Sequence, residues 1–171
     1  MIKSITALSC VVLLGACATP ARVEVPANLK PSANESFSMI VPAKGVQVYE
    51  CRLGKDAAPQ WTFVAPEATL FDARGNTIGQ HGAGPYWQAT DGSRIVGTLK
   101  QRADAPDPAA IPWLLLSSKS NGSAGVFSNV SSIQRVNTVG GVAPATGCAG
   151  DSAGKTARIP YTADYYFFTN R

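Results

Sequence analysis

Pro85-Tyr-Trp-Gln-Ala-Thr90-Asp91-Gly92-Ser-Arg94-Ile-Val-Gly-Thr-Leu-Lys100 decides the fold class. Two runs rich in aromatic and β-branched residues flank Asp91-Gly92. That dipeptide signals a type I′ hairpin, because both central positions of such a turn need positive φ, which Asp and Gly tolerate. The same pattern repeats on either side. Upstream stand Phe37–Val41, Val46–Cys51 (set off by Lys44-Gly45), Gln60–Val64 and Ala68–Phe71. Asp72-Ala-Arg-Gly75-Asn76 reads as a turn, and Thr77–His81 as the returning arm of a hairpin. Downstream, Ile111-Pro-Trp-Leu-Leu-Leu116 is a continuous apolar run, the mark of a strand buried on both faces. Ile133–Val136 and Tyr165–Phe168 complete the series.

No long window carries helical periodicity; Gly125 to Val130 suggests one short helical turn. Many short strands at roughly ten-residue spacing predict an all-β single domain, either a β-sandwich or an open β-barrel. The length of 171 residues suits one domain. Apolar residues make up 45% and charged residues 15%, which excludes a disordered chain. The expected organisation is a lipoprotein signal peptide over 1–16, a lipidated tether or extended arm over 17–36, and the all-β domain over 37–171.

The amino terminus reads as an export signal. Lys3 supplies the positive start, and Ile5 to Ala16 is a largely apolar stretch of 12 residues. A membrane-spanning helix needs about 20, so this stretch fits a signal-peptide core. Leu14-Gly15-Ala16-Cys17 is similar to the lipobox of bacterial lipoproteins, which implies acylation of Cys17 and a lipid anchor in the cell envelope. Two or three acyl chains (palmitate among them) anchor stably, at roughly 0.8 kcal/mol per buried methylene. Ala18 after the cysteine resembles the sorting signal for the outer membrane, with the domain facing the periplasm. The alternative is cleavage after Ala18 at Ala16-Cys17-Ala18 and release as a soluble secreted protein.

Net charge is +4, from 15 basic and 11 acidic residues. The basic residues are scattered, which argues against nucleic acid as a partner. Cys10 leaves with the signal, and Cys51 and Cys148 remain, an even pair in an oxidising compartment. They read as a disulfide or as two buried thiols. Neither has a CxxC neighbour and the chain has one histidine, so no metal and no cofactor is expected.

Ala149-Gly-Asp-Ser-Ala-Gly154-Lys155-Thr156 matches a relaxed phosphate-loop pattern. Its chemistry needs a buried strand before the loop and a helix after it. Ile159-Pro160-Tyr161 follows instead, so the segment reads as a solvent loop and no nucleotide is expected. His81 stands among Gly79, Gly82, Gly84 and Pro85. Histidine is the usual general base near neutral pH, and it is equally at home hydrogen-bonded at a strand end. Asp72 and Asp91 offer triad carboxylates, but no G-x-S-x-G elbow accompanies them. Glu50 reads as half-buried, with Arg52 or Arg135 as partner. Trp61, Trp87 and Trp113 serve either as core or as the lining of a cleft. Asn137 to Cys148 is a long irregular segment of the kind that often carries function.

Several segments together resemble a family of small secreted bacterial and fungal proteins catalogued as a domain of unknown function. They are Gly45-Val-Gln-Val-Tyr-Glu-Cys51, Ala65-Pro-Glu-Ala-Thr-Leu-Phe-Asp72, Gly84-Pro-Tyr-Trp87, Ile111-Pro-Trp-Leu-Leu-Leu116, Ile133-Gln-Arg-Val-Asn-Thr138 with Gly140-Gly141, and Pro160-Tyr-Thr-Ala-Asp-Tyr-Tyr-Phe167. The resemblance covers residues 25–168. It supports one domain and a Cys51–Cys148 bridge, and it implies no activity.

The leading expectation is an envelope-associated binding or interaction module for a small-molecule, glycan or protein ligand. Its candidate surface joins His81, Trp87, Asp91, Gln134, Arg135 and Asn137. On that expectation, replacing Trp87 or Arg135 weakens binding and leaves the melting temperature nearly unchanged. The alternatives are a hydrolase with His81 as general base and a purely structural envelope protein.

Overall fold

The computed structural model describes residues 22–171. The expected signal peptide, Cys17 and the alternative cleavage position after Ala18 lie outside the described residues. Eight antiparallel strands run β1 Glu35–Leu53, β2 Pro59–Phe71, β3 Thr77–Gly82, β4 Tyr86–Ala89, β5 Arg94–Ala103, β6 Trp113–Ser120, β7 Val130–Gly140 and β8 Thr156–Asn170. Each pairs with its neighbour in the chain, and β8 pairs with β1. The result is a closed up-and-down barrel. Of the two architectures expected, the barrel forms, and it is closed because β1 carries β2 and β8 on its two edges. Among the described residues no helix is long and apolar enough to cross a membrane.

Where two strands were expected over 37–51, one runs through, and the same holds over 60–71. Pro42 and Pro66 do not interrupt them. β1 gains β2 as a neighbour only from Ala43 onward, and β2 has β3 as a neighbour only over Ala68–Phe71. Both prolines therefore sit where one edge is open, the place in a sheet that tolerates a missing N–H. Lys44-Gly45 is not a turn. A Cβ at Gly45 would stand 2.0 Å from the Glu67 carbonyl oxygen, so glycine lets two strands approach at a bend.

Alternation sorts the side chains into two clusters. Val41, Ala43, Leu70, Trp87, Ile95, Leu116, Ile133, Tyr161, Ala163, Tyr165 and Phe167 fill the interior. On β6, β7 and β8 the alternate residues face outward and meet the arm before β1. Leu29, at the end of a 3-10 turn over Ala27–Leu29, packs with Trp113, Leu115, Val136, Tyr166 and Phe168, and Val23 and Val25 join them. The 111–116 run is thus buried on both faces, inside by the barrel and outside by the arm. The described residues before β1 lie along the barrel wall.

Two loops close the ends. Phe127 is fully buried against Phe167 at one end, in a series of turns where a helical turn was expected. At the other, Ile111 joins the interior cluster and its N–H donates to Gly140 O. The β4–β5 connection is not type I′. Ala89 and Ser93 are paired, and of Thr90, Asp91 and Gly92 only Gly92 has positive φ, at 86°. That is a three-residue loop with glycine in the left-handed position.

Candidate functional site

The short strands create the site. β3 has 6 residues and β4 has 4, whereas β2 has 13 and β5 has 10. Beyond the β3–β4 turn, β2 from Pro59 to Glu67 and β5 from Thr98 to Ala103 have no strand between them. The barrel wall has a side window there.

Behind the window is a cavity of about 330 Å³, lined by Phe63, Val64 and Pro66 of β2, Gly84 and Pro85 of the turn, His81, Trp87, Leu114, Leu116, Arg135 and Tyr165. The register explains how His81 and Trp87 meet. His81 is directly opposite Trp87, and Trp87 is opposite Ile95. Cross-strand neighbours share a face, so the imidazole stacks on the indole with centroids 4.3 Å apart, and Tyr165 closes on it edge-on at 5.0 Å. Gly97 makes room for the indole: a Cβ there would lie 2.8 Å from Trp87 Cζ3.

Arg135 is the one charged residue in this lining. It alternates with outward Gln134 and Val136, so it points in with Ile133. Its Nε and Nη2 both donate to Pro112 O, at 3.0 and 2.8 Å. Among the described residues the ion pairs are Arg52–Glu50, Arg102–Asp104 and Arg158–Glu67, and none includes Arg135. The groups around it stay neutral. Burial pushes the Tyr165 hydroxyl up, against the pull of the Arg135 guanidinium, and burial likewise raises Tyr161 and Tyr49. Burial drives the His81 imidazole down to about 3, and Arg135 pushes it the same way. His81 Nδ1–H donates to Tyr86 O at 2.7 Å, which leaves Nε2 as an acceptor.

The structure brings His81, Trp87 and Arg135 into one cavity, and places the other three candidates elsewhere. Asp91 is a loop brace: its carboxylate accepts from Ser93 N–H, Ser93 Oγ–H and Val126 N–H, and these bonds, Ser93's first, hold it below the usual carboxylate range. Gln134 faces outward under the arm, donating to Leu29 O at 2.6 Å. Asn137 is exposed at φ 49° where the β7–β8 register slips, and donates to Asp164. Of the six candidates, three thus share the cavity, and Asp91, Gln134 and Asn137 lie outside it. Alternation alone could not separate Gln134 from Arg135 without the strand's register. It could have found Tyr165, which shares a face with Tyr161 and Ala163.

Other motifs resolve as structure. Cys51 and Cys148 are bridged, with Cα atoms 5.3 Å apart. Glu50 pairs with Arg52 at 2.8 Å. The phosphate-loop-like segment is a 3-10 turn, Gly150–Ser152, that leads directly into β8. Trp61 donates to Thr146 O, tying down the loop from Gly141 to Lys155, and Trp113 is core under the arm. Among the described residues no three of His, Cys, Asp and Glu converge as metal ligands do.

Neutral His81 gives a pH prediction. Its pKa falls on folding, so the stabilisation is present in full above the unfolded value of 6.5 and is lost as pH falls toward 3. Between pH 7 and 5 the protein loses about 2 kcal/mol through this group, from roughly 1.4 kcal/mol per pH unit below 6.5. The depressed carboxylates act lower, so denaturant unfolding at pH 7 and 5 isolates it. His81→Gln flattens that interval; an equal loss in both proteins would show that His81 titrates normally.

Fold and site together define a class: a closed eight-stranded meander barrel with an apolar interior cavity that opens through its side. Within that class the chain belongs to the family described as protein of unknown function (DUF3455), whose profile matches residues 31–169. No curated protein matches the chain.

Proposed function

We propose that this protein is an exported, envelope-anchored binding module that holds a small apolar molecule inside its barrel. One observation carries the reading: a cavity of about 330 Å³ with a mainly hydrophobic wall, reached past exposed Phe63 and Val64. Small-molecule sites are concave and mostly apolar, with a few placed polar groups, and they fall in this size range. An eight-stranded barrel has an interior just wide enough for one such ligand. Cys17 and its lipobox supply the anchor, with the tether joining it to the arm on the barrel wall.

A hydrolase reading has less support. A general base works best with a pKa near the working pH, whereas the His81 imidazole is held at about 3 with Nδ1 committed to a backbone carbonyl.

The test is saturable binding of neutral 1-aminonaphthalene, followed by its fluorescence. One site per chain is expected, lost in Leu114→Trp, which fills the cavity while the melting temperature holds. Binding that survives Leu114→Trp would place the site elsewhere. Intact mass of the protein taken from its native envelope, before and after denaturation, reads both the acyl group on Cys17 and any retained ligand.

A further inference from the structure

We infer that the ligand of this cavity is an apolar monocarboxylate of about ten non-hydrogen atoms, its head group paired with Arg135. The inference rests on the cavity-binding reading above and adds the ligand's charge, head group and size.

Charge comes first. A cation inside an apolar wall is costly unless something of opposite sign meets it. Arg135 is half-buried, lines the cavity, and has no carboxylate partner among the described residues. The ionisable side chains that feel the Arg135 charge, His81, Tyr49, Tyr161 and Tyr165, carry no negative charge at neutral pH. The protein therefore holds a net positive charge at this point.

The head group follows from the donor set. Two of the guanidinium's five N–H groups are directed to Pro112 O, which fixes its plane. A planar, fixed guanidinium matches a carboxylate, which it can meet through two parallel bonds. A phosphate monoester brings up to two charges and three acceptor oxygens. One guanidinium beside an imidazole whose free nitrogen is itself an acceptor does not satisfy that demand. The rest of the wall, from Phe63 and Trp87 to Leu114 and Leu116, is hydrocarbon or aromatic and suits an uncharged body.

Size follows from volume. At roughly 30 Å³ per water-sized group, 330 Å³ admits about ten such groups. Octanoate has that size and serves as the probe.

The experiment is calorimetric titration of the exported chain carrying Cys17→Ser, so that no acyl group competes, with octanoate, 1-octanol and octyl phosphate. Octanoate is expected to bind one per chain and about 10- to 100-fold more tightly than 1-octanol, the usual range for a hydrogen bond to a charged group. Octyl phosphate binds more weakly than octanoate. Arg135→Gln removes the preference for octanoate over 1-octanol, and Arg135→Lys keeps part of it. Equal affinity for octanoate and 1-octanol in the unsubstituted barrel overturns the charge assignment and leaves the cavity reading standing. Tighter octyl phosphate overturns the head-group assignment. If none of the three binds while 1-aminonaphthalene does, the ligand class is wrong; if that probe also fails, the cavity reading falls with it. Should Arg135→Gln fail to fold, the octanoate-to-octanol ratio in the Cys17→Ser chain decides alone.

Discussion

Replacing Cys51 and Cys148 together with serine lowers the melting temperature by on the order of 10–15 °C. The bridge joins residues 97 apart, and the chain-entropy account assigns a loop of that length about 4–5 kcal/mol. In a domain of this size each kcal/mol moves the midpoint by about 2–4 °C. The bridge also has local work. It holds the end of β1 against the loop from Gly141 to Lys155, where Tyr49 Oη–H donates to Gly141 O at 2.6 Å and Gly154 N–H to Cys51 O. Thermal unfolding of the double-serine chain checks it, beside the unsubstituted chain with and without reductant. A midpoint within a degree or two of the oxidised protein would mean that the surrounding hydrogen bonds hold the loop without the bridge.

Trp87→Ala costs about 3–5 kcal/mol, the usual range for truncating a large buried aromatic. Only 1% of Trp87 is exposed. The indole is packed between the His81 ring, the Tyr165 edge and the bare backbone of Gly97, and no small shift of those neighbours refills the space. This reverses the expectation that Trp87 can be replaced at constant melting temperature. The residue is cavity wall and core at once, so binding is better probed with Trp87→Phe, which keeps an aromatic face on His81. Denaturant midpoints of the two variants separate the roles. A loss below about 1 kcal/mol in Trp87→Ala would show the interior to be far looser than this packing implies.

Much of the fold was legible. Every strand of the barrel overlaps at least one of the runs picked out by alternation and turn residues, and their order along the chain is their order around the barrel. Strand length was not legible. Gly45, Pro42 and Pro66 read as stops, and their meaning depends on whether a neighbouring strand lies alongside, a tertiary fact. The site suffered the same limit. His81 and Trp87 stood out through glycine crowding and aromatic size, and Arg135 only as one member of the segment with Gln134 and Asn137. The window came from the mismatch between β3–β4 and the strands beside them, and no local pattern encodes that. Asp91 drew notice as a turn residue and does a turn residue's work: it fastens the loop that carries Phe127 into the barrel end.

The same notch that opens the cavity leaves two lengths of backbone with one edge unpaired. Such rims invite edge-to-edge association between copies, and proteins that keep them commonly carry residues that spoil a foreign strand's fit. β2 bears Pro59 and Pro66 at the two ends of its free stretch. β5 bears exposed Lys100 and Arg102, whose burial under an incoming strand would be costly, and Asn28 of the arm already occupies the Arg102 carbonyl. Solubility at high concentration therefore depends on a few residues along the rim of the window. Exchanging Lys100 and Arg102 for valine would turn a guarded rim into a template for self-association.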